Sequence, residues 1–334
     1  MPSSILNRPS SIINRQSHDF VYGPVPSRRL GLSLGINIIP RKTCTLDCIY
    51  CQCGLTTKKT VERSSFYPVP DVIAAVRKSV ALRRPDYLTF SGEGEPTLNK
   101  DIGRIIRRLK REFRLPVAVI TNGTLMSDPG VRRDLYAADL VMPSLDAADQ
   151  RTFAKVDRCH RSIRVGDIIA GLVAFRRRYR GQLWLEVMLC KGVNDSPEQL
   201  MILRRAVADI NPTLVQLNTV VRPPAESFAR ALSHDDLVQV QMVFGPGTEI
   251  VGVVAPRERK TRTARRPTSS GASSPCVRAG RSRAPTSPAR SGSRPPALLR
   301  YLGNSSAPAQ SAPPASRPGP STKPAPADRP RSRC

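Results

Sequence analysis

Histidine is scarce in this 334-residue chain: only His18, His160 and His234 occur, they share no spacing, and none is assigned a role. Tryptophan occurs once, and aromatic side chains make up 5% of the residues. Acids are half as numerous as bases, 26 Asp and Glu against 53 Lys and Arg, for a formal net charge of +27. No apolar run approaches the ~18 residues of a membrane span, so no membrane association is expected. The N-terminus lacks the basic-then-apolar pattern of an export signal, so the expected compartment is the cytoplasm, where thiols stay reduced. No cysteine precedes Cys44, and the eight cysteines are unevenly placed. Four crowd into Cys44–Cys53, while Cys159, Cys190, Cys276 and Cys334 stand apart. That pattern excludes a small secreted disulfide scaffold and leaves thiols available as metal ligands.

Composition changes near Pro256. From there to the C-terminus lie 15 of the 32 prolines, 17 of the 53 basic residues and two acids, Glu258 and Asp328. Such a segment buries too little apolar surface to offset its chain entropy, so a disordered tail is expected over 256–334. Residues 1–19 are polar and aperiodic and are expected to form a flexible arm. One folded domain is expected over 20–255. The tail contributes +15 of the charge (17 basic minus two acidic), leaving about +12 for the rest. A body that basic attracts nucleic acid or another polyanion, and it fits a solvated arginine-rich surface equally well. The tail's 15 Arg against two Lys suit coding bias or an unselected C-terminus as readily as an RNA-binding arm.

Within 20–255, short apolar runs alternate with segments of helical period. Strands are expected at Leu32–Ile39, Tyr87–Ser91, Val117–Thr121, Asp139–Ser144, Leu183–Leu189 and Leu214–Val220. Helices are expected at Asp71–Arg84 with Asp71 as N-cap, at Ile102–Arg111 and at Ile163–Arg178. Another opens at Ser196 and Pro197, with Gln199 completing a capping box, and Ser233 caps a last one ending about Phe244. Six strands alternating with helices predict an α/β fold with a parallel sheet and right-handed crossovers. About 200 residues hold these six units, whereas a complete eight-unit barrel takes ~250. The expectation is a partial (β/α)6 TIM-type barrel or an open doubly wound sheet. In either, ligands bind at the C-terminal ends of the strands.

The run Cys44-Thr-Leu-Asp-Cys48-Ile-Tyr-Cys51 is the most informative stretch. Three thiolates on one loop after a strand suit three corners of a cubane iron–sulfur cluster, whose usual complement is four cysteines. Three leave one iron without a protein ligand, the open position that catalytic metal sites keep. The amino and carboxylate groups of S-adenosylmethionine (SAM) can occupy it. One electron from the cluster then breaks a C–S bond and yields a 5′-deoxyadenosyl radical for hydrogen abstraction. Cys53 extends the spacing to C-x3-C-x2-C-x-C, which leaves a non-catalytic alternative open: Cys44, Cys48, Cys51 and Cys53 closing a zinc site or an electron-transfer cluster. A zinc ribbon draws two pairs from separated hairpins, and no second pair exists here. Cys53 is therefore expected to be a bystander.

Several other polar candidates fall at strand ends, and two lie within strands. Ser91-Gly-Glu-Gly-Glu-Pro96 follows the second strand; its glycines allow close backbone approach to a ligand, and the same pattern serves a plain strand-to-helix turn. Asn122, in Thr121-Asn122-Gly123, could bond the ribose or carboxylate of SAM, and Asn-Gly is also a favoured turn. Glu186 lies mid-strand, where a buried acid needs a partner such as an ammonium or ribose hydroxyls, unless the strand is an exposed edge. Asn218 is a weaker candidate on the last strand. Arg28 and Arg29 suit an anion or solvent, and Cys190 reads as a small buried apolar residue.

C-x3-C-x2-C with Tyr50 before the last cysteine resembles the cluster motif of the radical SAM superfamily. Phe20–Asn37, Ser91–Leu98, Leu183–Leu189 and Lys191–Asp195 resemble a branch related to tRNA wyosine-synthesis (4-demethylwyosine synthase-like) proteins. The likeness covers about 20–255. It implies a radical SAM core carrying a 4Fe-4S cluster on Cys44, Cys48 and Cys51. It also implies SAM contacts from Gly92, Glu93, Gly94, Glu95 and Ser144, with Tyr50, Asn122 and Glu186 joining the cofactor site. The partners implied are a reductant such as flavodoxin or ferredoxin and an RNA substrate, tRNA by resemblance. The wyosine enzymes carry further cysteines upstream for a second cluster; this chain does not, so the resemblance is specific for the superfamily and not for the substrate.

Overall fold

The computed structural model describes residues 20–251. The expected arm over 1–19, the end of the expected domain at 252–255 and the expected tail over 256–334 lie outside the described residues. The described chain enters through a hairpin, β1 (Val21–Ser27) and β2 (Gly31–Ile36), paired antiparallel. Two short strands, β3 (Thr43–Cys44) and β4 (Lys58–Lys59), pair parallel on either side of the cysteine loop. After α1 (Val69–Leu82) come β5 (Tyr87–Phe90), α2 (Ile102–Phe113), β6 (Val117–Thr121), α3 (Pro129–Leu135) and β7 (Leu140–Pro143). Then follow α4 (Gln150–Asp157), α5 (Val165–Arg178), β8 (Gln182–Leu189), α6 (Pro197–Ile210), β9 (Leu214–Thr219), α7 (His234–Phe244) and β10 (Thr248–Ile250).

Eight strands form one sheet in the order β1-β2-β5-β6-β7-β8-β9-β10, and every pair except β1–β2 is parallel. The two-residue period of β8 sorts its faces. Leu183, Leu185, Val187 and Leu189 are buried in the main core with Ile168 and Leu172 of α5 and Leu203 of α6, while Trp184, Glu186 and Met188 stand half-buried on the other face. On that inner face Leu30, Ala118, Leu140 and Met142 form a separate apolar cluster with Tyr87, Ile120 and Trp184 against it. On the outside, α2 buries Ile102, Ile105, Ile106 and Leu109 at helical spacing while Arg104, Arg107 and Arg111 stay exposed. Each such aliphatic side chain contributes about 1.5–3 kcal/mol on burial.

Arg29 shows that the sheet curls. From the β1–β2 turn its guanidinium reaches Glu186 on β8 and, at 3.0 Å, Gln216 on β9, although β5, β6 and β7 separate these strands from β2 in the sheet. Arg28 Nη1 likewise reaches the carbonyl of Val251, just past β10, at 2.8 Å. β1 and β10 nonetheless end the sheet without pairing. The architecture is a partial (β/α)6 barrel built on β2 and β5–β9, flanked by one further strand on each side.

Some local expectations change. α1 begins at Val69: Pro68 takes the cap position, Pro70 occupies the first turn where its missing N–H costs nothing, and Asp71 becomes a first-turn acid rather than the cap. Ser196 caps α6 by accepting from Gln199 N at 3.4 Å, but Gln199 Oε1 has no partner among the described residues, so the box is not reciprocal. The reciprocal box forms at α7, between Ser233 and Asp236. β1 escapes a pattern reading because Pro24 and Pro26 argue against a strand, which only a sheet edge tolerates.

Candidate metal and cofactor site

The cysteine loop leaves β2 at its C-terminal end and is braced from three sides. The Gly92–Glu95 segment runs beside it backbone to backbone, with Lys42 N donating to Glu93 O at 2.9 Å and Glu95 N to Thr43 O at 3.2 Å. A Cβ on Gly94 would stand 2.1 Å from Thr43 O, and one on Gly92 would stand 2.4 Å from Asn37 Oδ1. The close backbone approach expected of these glycines is thus made to the loop that carries Cys44. Lys42 is the loop's hinge. It is buried in a left-handed conformation (φ 58°), its carbonyl accepts from Thr57 N and Lys58 N, and its ammonium donates to Gly54 O. From below, Asp47 N and Ile49 N donate to the carbonyls of Asp157 and Val156, each at 3.0 Å.

Cys44, Cys48, Cys51 and Cys53 are all free and half-buried. Burial pushes the Cys44 thiol up to about 12, with the Glu95 carboxylate and Cys51 adding to the effect. Burial also holds Cys48 well above the ordinary thiol range, joined by Asp157, Cys44 and Asp146. Cys48 Sγ donates to Asp157 Oδ1 at 3.2 Å. Cys51 is lowered to about 6, first by a hydrogen bond from the Cys53 thiol and further by the Lys42 ammonium. Cys53 is raised by the same bond.

Glu95 is 2% exposed, and its carboxylate accepts from Thr97 N at 3.0 Å, Thr97 Oγ1 at 2.6 Å, Thr121 Oγ1 at 2.5 Å and Asn122 N at 2.7 Å. Burial raises its pKa, and these four donors oppose the rise. Every donor comes from the protein itself, so the carboxylate brackets the end of β6 and caps the short turn at Pro96–Leu98. Glu93 remains half-buried, 3.2 Å from Arg41. Asn122 points its amide nitrogen at Thr45 Oγ1 (2.8 Å) and Cys44 Sγ (3.5 Å). The Tyr50 hydroxyl donates to Asp146, with Asp157 Oδ1 at 3.4 Å. Asp146 Oδ1 also accepts from Met188 N at 2.9 Å, tying the end of β7 to β8. Burial raises both Asp146 and Asp157, the latter to about 6. Ser144 sits half-buried at the end of β7, bridged to Glu186 on β8. Glu186 is on a central strand and is partnered by Arg29. Asn218 is buried and bonds Thr219 N, Cys190 is buried, and Arg28 serves Val251.

Lys42 and Asp157 escaped the sequence reading. Asp157 had a signal: it shares the buried stripe of α4 with Phe153 and Val156, an acid in an apolar face. Lys42 had none, because its burial depends on the loop closing over it.

Among the described residues no three His, Cys, Asp or Glu side chains stand together as a site for a single metal ion. One ion needs its donors gathered into one coordination sphere, whereas a cluster is ligated corner by corner. Cys44, Cys48 and Cys51 are free thiols carried on one short loop. Three soft sulfur donors with no nitrogen or oxygen ligand among them are the donor chemistry of an iron–sulfur cluster.

A family model described as Radical SAM superfamily matches residues 38–203. A UPF0026 protein of Methanocaldococcus jannaschii is 37% identical over 234 residues, covering 69% of this chain and 72% of that protein. A protein named GTPase Obg from Brachyspira hyodysenteriae is 41% identical over 225 residues, which are 67% of this chain but only 33% of that relative. This chain has no Gly-Lys dipeptide and therefore no phosphate-binding P-loop. Among solved structures, a radical SAM methyltransferase from Sphaerobacter thermophilus aligns with a TM-score of 0.52 at 21% identity, covering 65% of each chain. At that identity the likeness is one of fold.

Proposed function

The chain belongs to the radical SAM superfamily, and from that premise we propose that Cys44, Cys48 and Cys51 hold a 4Fe-4S cluster whose fourth iron is left to SAM. Bound there, the pair supplies reductive cleavage of the sulfonium and hence a 5′-deoxyadenosyl radical that takes hydrogen from a substrate. The observation that carries this reading is the placement of three free thiols on one braced loop at the C-terminal rim of a partial (β/α)6 barrel, the end at which such barrels bind ligands.

The protein's own residues orient and enclose. Gly92 is exposed and Glu93, Gly94 and Ser144 are half-buried, and these four are proposed to meet SAM directly. Glu95 and Tyr50 are proposed to act one step back, the first by fixing the end of β6 and the second by fixing the loop between Cys48 and Cys51 to Asp146. Glu186, with Arg29, would form the polar floor of the site.

A low-potential reductant such as flavodoxin or ferredoxin is proposed as electron donor. RNA is proposed as substrate class, tRNA foremost. In support, the chain outside residues 256–334 carries about +12, and two clefts lined by Arg107, Lys110, Arg111 and Arg180 and by Arg132, Arg133, Arg177 and Arg178 add a basic surface at the N-terminal ends of the strands, away from the thiol rim. A second reading keeps Cys53 as a fourth ligand of a zinc or electron-transfer site, because it is a free, half-buried thiol on the same loop two positions after Cys51. No helix among the described residues is long and apolar enough to cross a membrane.

The deciding experiment is release of 5′-deoxyadenosine from SAM by the anaerobically reconstituted protein with dithionite. Release that is lost in Cys44→Ala, Cys48→Ala and Cys51→Ala supports the first reading. Tightly held zinc with no SAM cleavage supports the second.

A further inference from the structure

The side chain of Asn122 is locked in one orientation. Its Oδ1 accepts from Thr124 N at 3.0 Å and from Thr124 Oγ1 at 2.7 Å. A carboxamide carries its acceptor on one side and its two donors on the other, so the nitrogen must face away from Thr124. There it meets Thr45 Oγ1 at 2.8 Å and Cys44 Sγ at 3.5 Å. The backbone is held as firmly, because Glu95 accepts from Asn122 N at 2.7 Å. One amide hydrogen serves the threonine, and the second is left for the sulfur.

The three thiols keep different company. Cys48 donates to the carboxyl of Asp157 at 3.2 Å. Cys44 is the one that a neutral side-chain donor meets from the end of another strand. Reduction adds a negative charge that spreads over the irons and sulfurs of a cluster. A donor aimed at a ligand sulfur stabilises that more negative state more than the oxidised one, and hydrogen bonds to the sulfurs are among the levers on cluster potential.

We infer that Asn122 is a positioning residue whose amide donates an N–H···S hydrogen bond to Cys44 and thereby makes the cluster easier to reduce. The inference rests on the reading that Cys44 is a cluster ligand. It gives Asn122 a task directed at the sulfur, and its other polar atoms are already committed to Thr124, Thr45 and Glu95.

The test needs no turnover. The full chain and its Asn122→Leu, Asn122→Asp and Thr45→Ala variants are reconstituted anaerobically without SAM. Iron content is measured, and each is titrated with dithionite at defined potentials while the signal of the reduced cluster is followed by electron paramagnetic resonance. Each should load about four irons per chain. At the wild-type midpoint, where half of the clusters are reduced, Asn122→Leu should leave clearly fewer than half reduced. Asn122→Asp, which keeps the shape and adds a like charge, should leave fewer still. Thr45→Ala removes the amide's contact to Thr45 Oγ1 together with the 2.7 Å bond between the Thr45 and Thr124 hydroxyls, keeps the two Thr124 bonds that orient Asn122, and should remain at half. Wild-type titration of Asn122→Asp overturns the inference, even where Asn122→Leu fails to fold. So does a shift in Thr45→Ala as large as that of Asn122→Leu, because the amide would then be a loop anchor. A wild-type protein that takes up no iron overturns the cluster reading itself, and the inference with it.

Discussion

Arg29 crosses the barrel interior to hold the carboxylate of Glu186, and the same guanidinium nitrogen stands 3.0 Å from Gln216 Oε1. The acid that a mid-strand position would leave unpaired thus receives its cation from the β1–β2 turn. Because the two residues lie on opposite sides of the gap in the sheet, the pair also pins the curl of the barrel.

The side chains of Arg29 and Glu186 are 20% and 15% exposed, so removing either strands the other largely out of water. Breaking a fully buried pair costs about 3–5 kcal/mol, and the residual exposure here lowers the expectation to about 2–3 kcal/mol for Arg29→Ala or Glu186→Ala. The double variant should lose less than the sum, because its second change no longer strands a charge. Urea unfolding of the three variants checks this. Strictly additive losses would show that the two residues are not coupled.

Gly94 is the point of closest approach between its segment and the cysteine loop. A methyl group placed 2.1 Å from Thr43 O must push Cys44 and its strand aside. Gly94→Ala should therefore retain helical circular dichroism but bind markedly less iron on reconstitution than wild type. Gly166→Ala, where the added carbon meets nothing within 4 Å, is the control and should load normally.

The capping box at α7 makes a pH prediction remote from the thiols. The Lys191 ammonium, 2.5 Å from Asp236, together with the hydroxyl and N–H of Ser233, holds the Asp236 carboxyl at about 2. In the unfolded chain the group titrates near 3.9. A depressed folded pKa contributes stability that is complete above the unfolded value and is lost as pH falls through the folded one. The unfolding midpoint should drop between about pH 4 and pH 2, and Asp236→Asn should flatten part of that drop. An identical acid limb in the variant would contradict the assignment.

Cysteine replacements separate the two readings of the loop. Cys44→Ala, Cys48→Ala and Cys51→Ala should each abolish cluster assembly, read as iron content and visible absorption. Cys53→Ala should keep the cluster, although it removes a thiol from the same loop. Loss of iron in Cys53→Ala would move the protein to the fully ligated alternative.

What the sequence made legible was what is chemically local. Val117–Thr121 was readable as a strand from its own five residues, and Ser196 and Ser233 as caps from the residues that follow them. The Cys44–Cys51 spacing identifies ligand chemistry because the donors share one loop. Features that depend on closure were not legible. Arg29 and Glu186 are separated by 157 positions, and nothing local tells a strand which turn will reach its inner face. The direction of the Glu95 carboxylate was equally hidden: the same glutamate serves a ligand or a bracket, and only the convergence of Thr97, Thr121 and Asn122 decides. Asp157 becomes functional in position only once α4 docks beneath Cys48 and Tyr50.

The central claim is that the polypeptide leaves one iron for SAM, and its most direct measurement is the electron paramagnetic resonance spectrum of the dithionite-reduced, reconstituted protein before and after SAM is added. The account predicts that SAM changes the line shape of the reduced cluster in wild type and in Cys53→Ala alike. A spectrum that SAM leaves untouched, in a protein holding its full complement of iron, would contradict it.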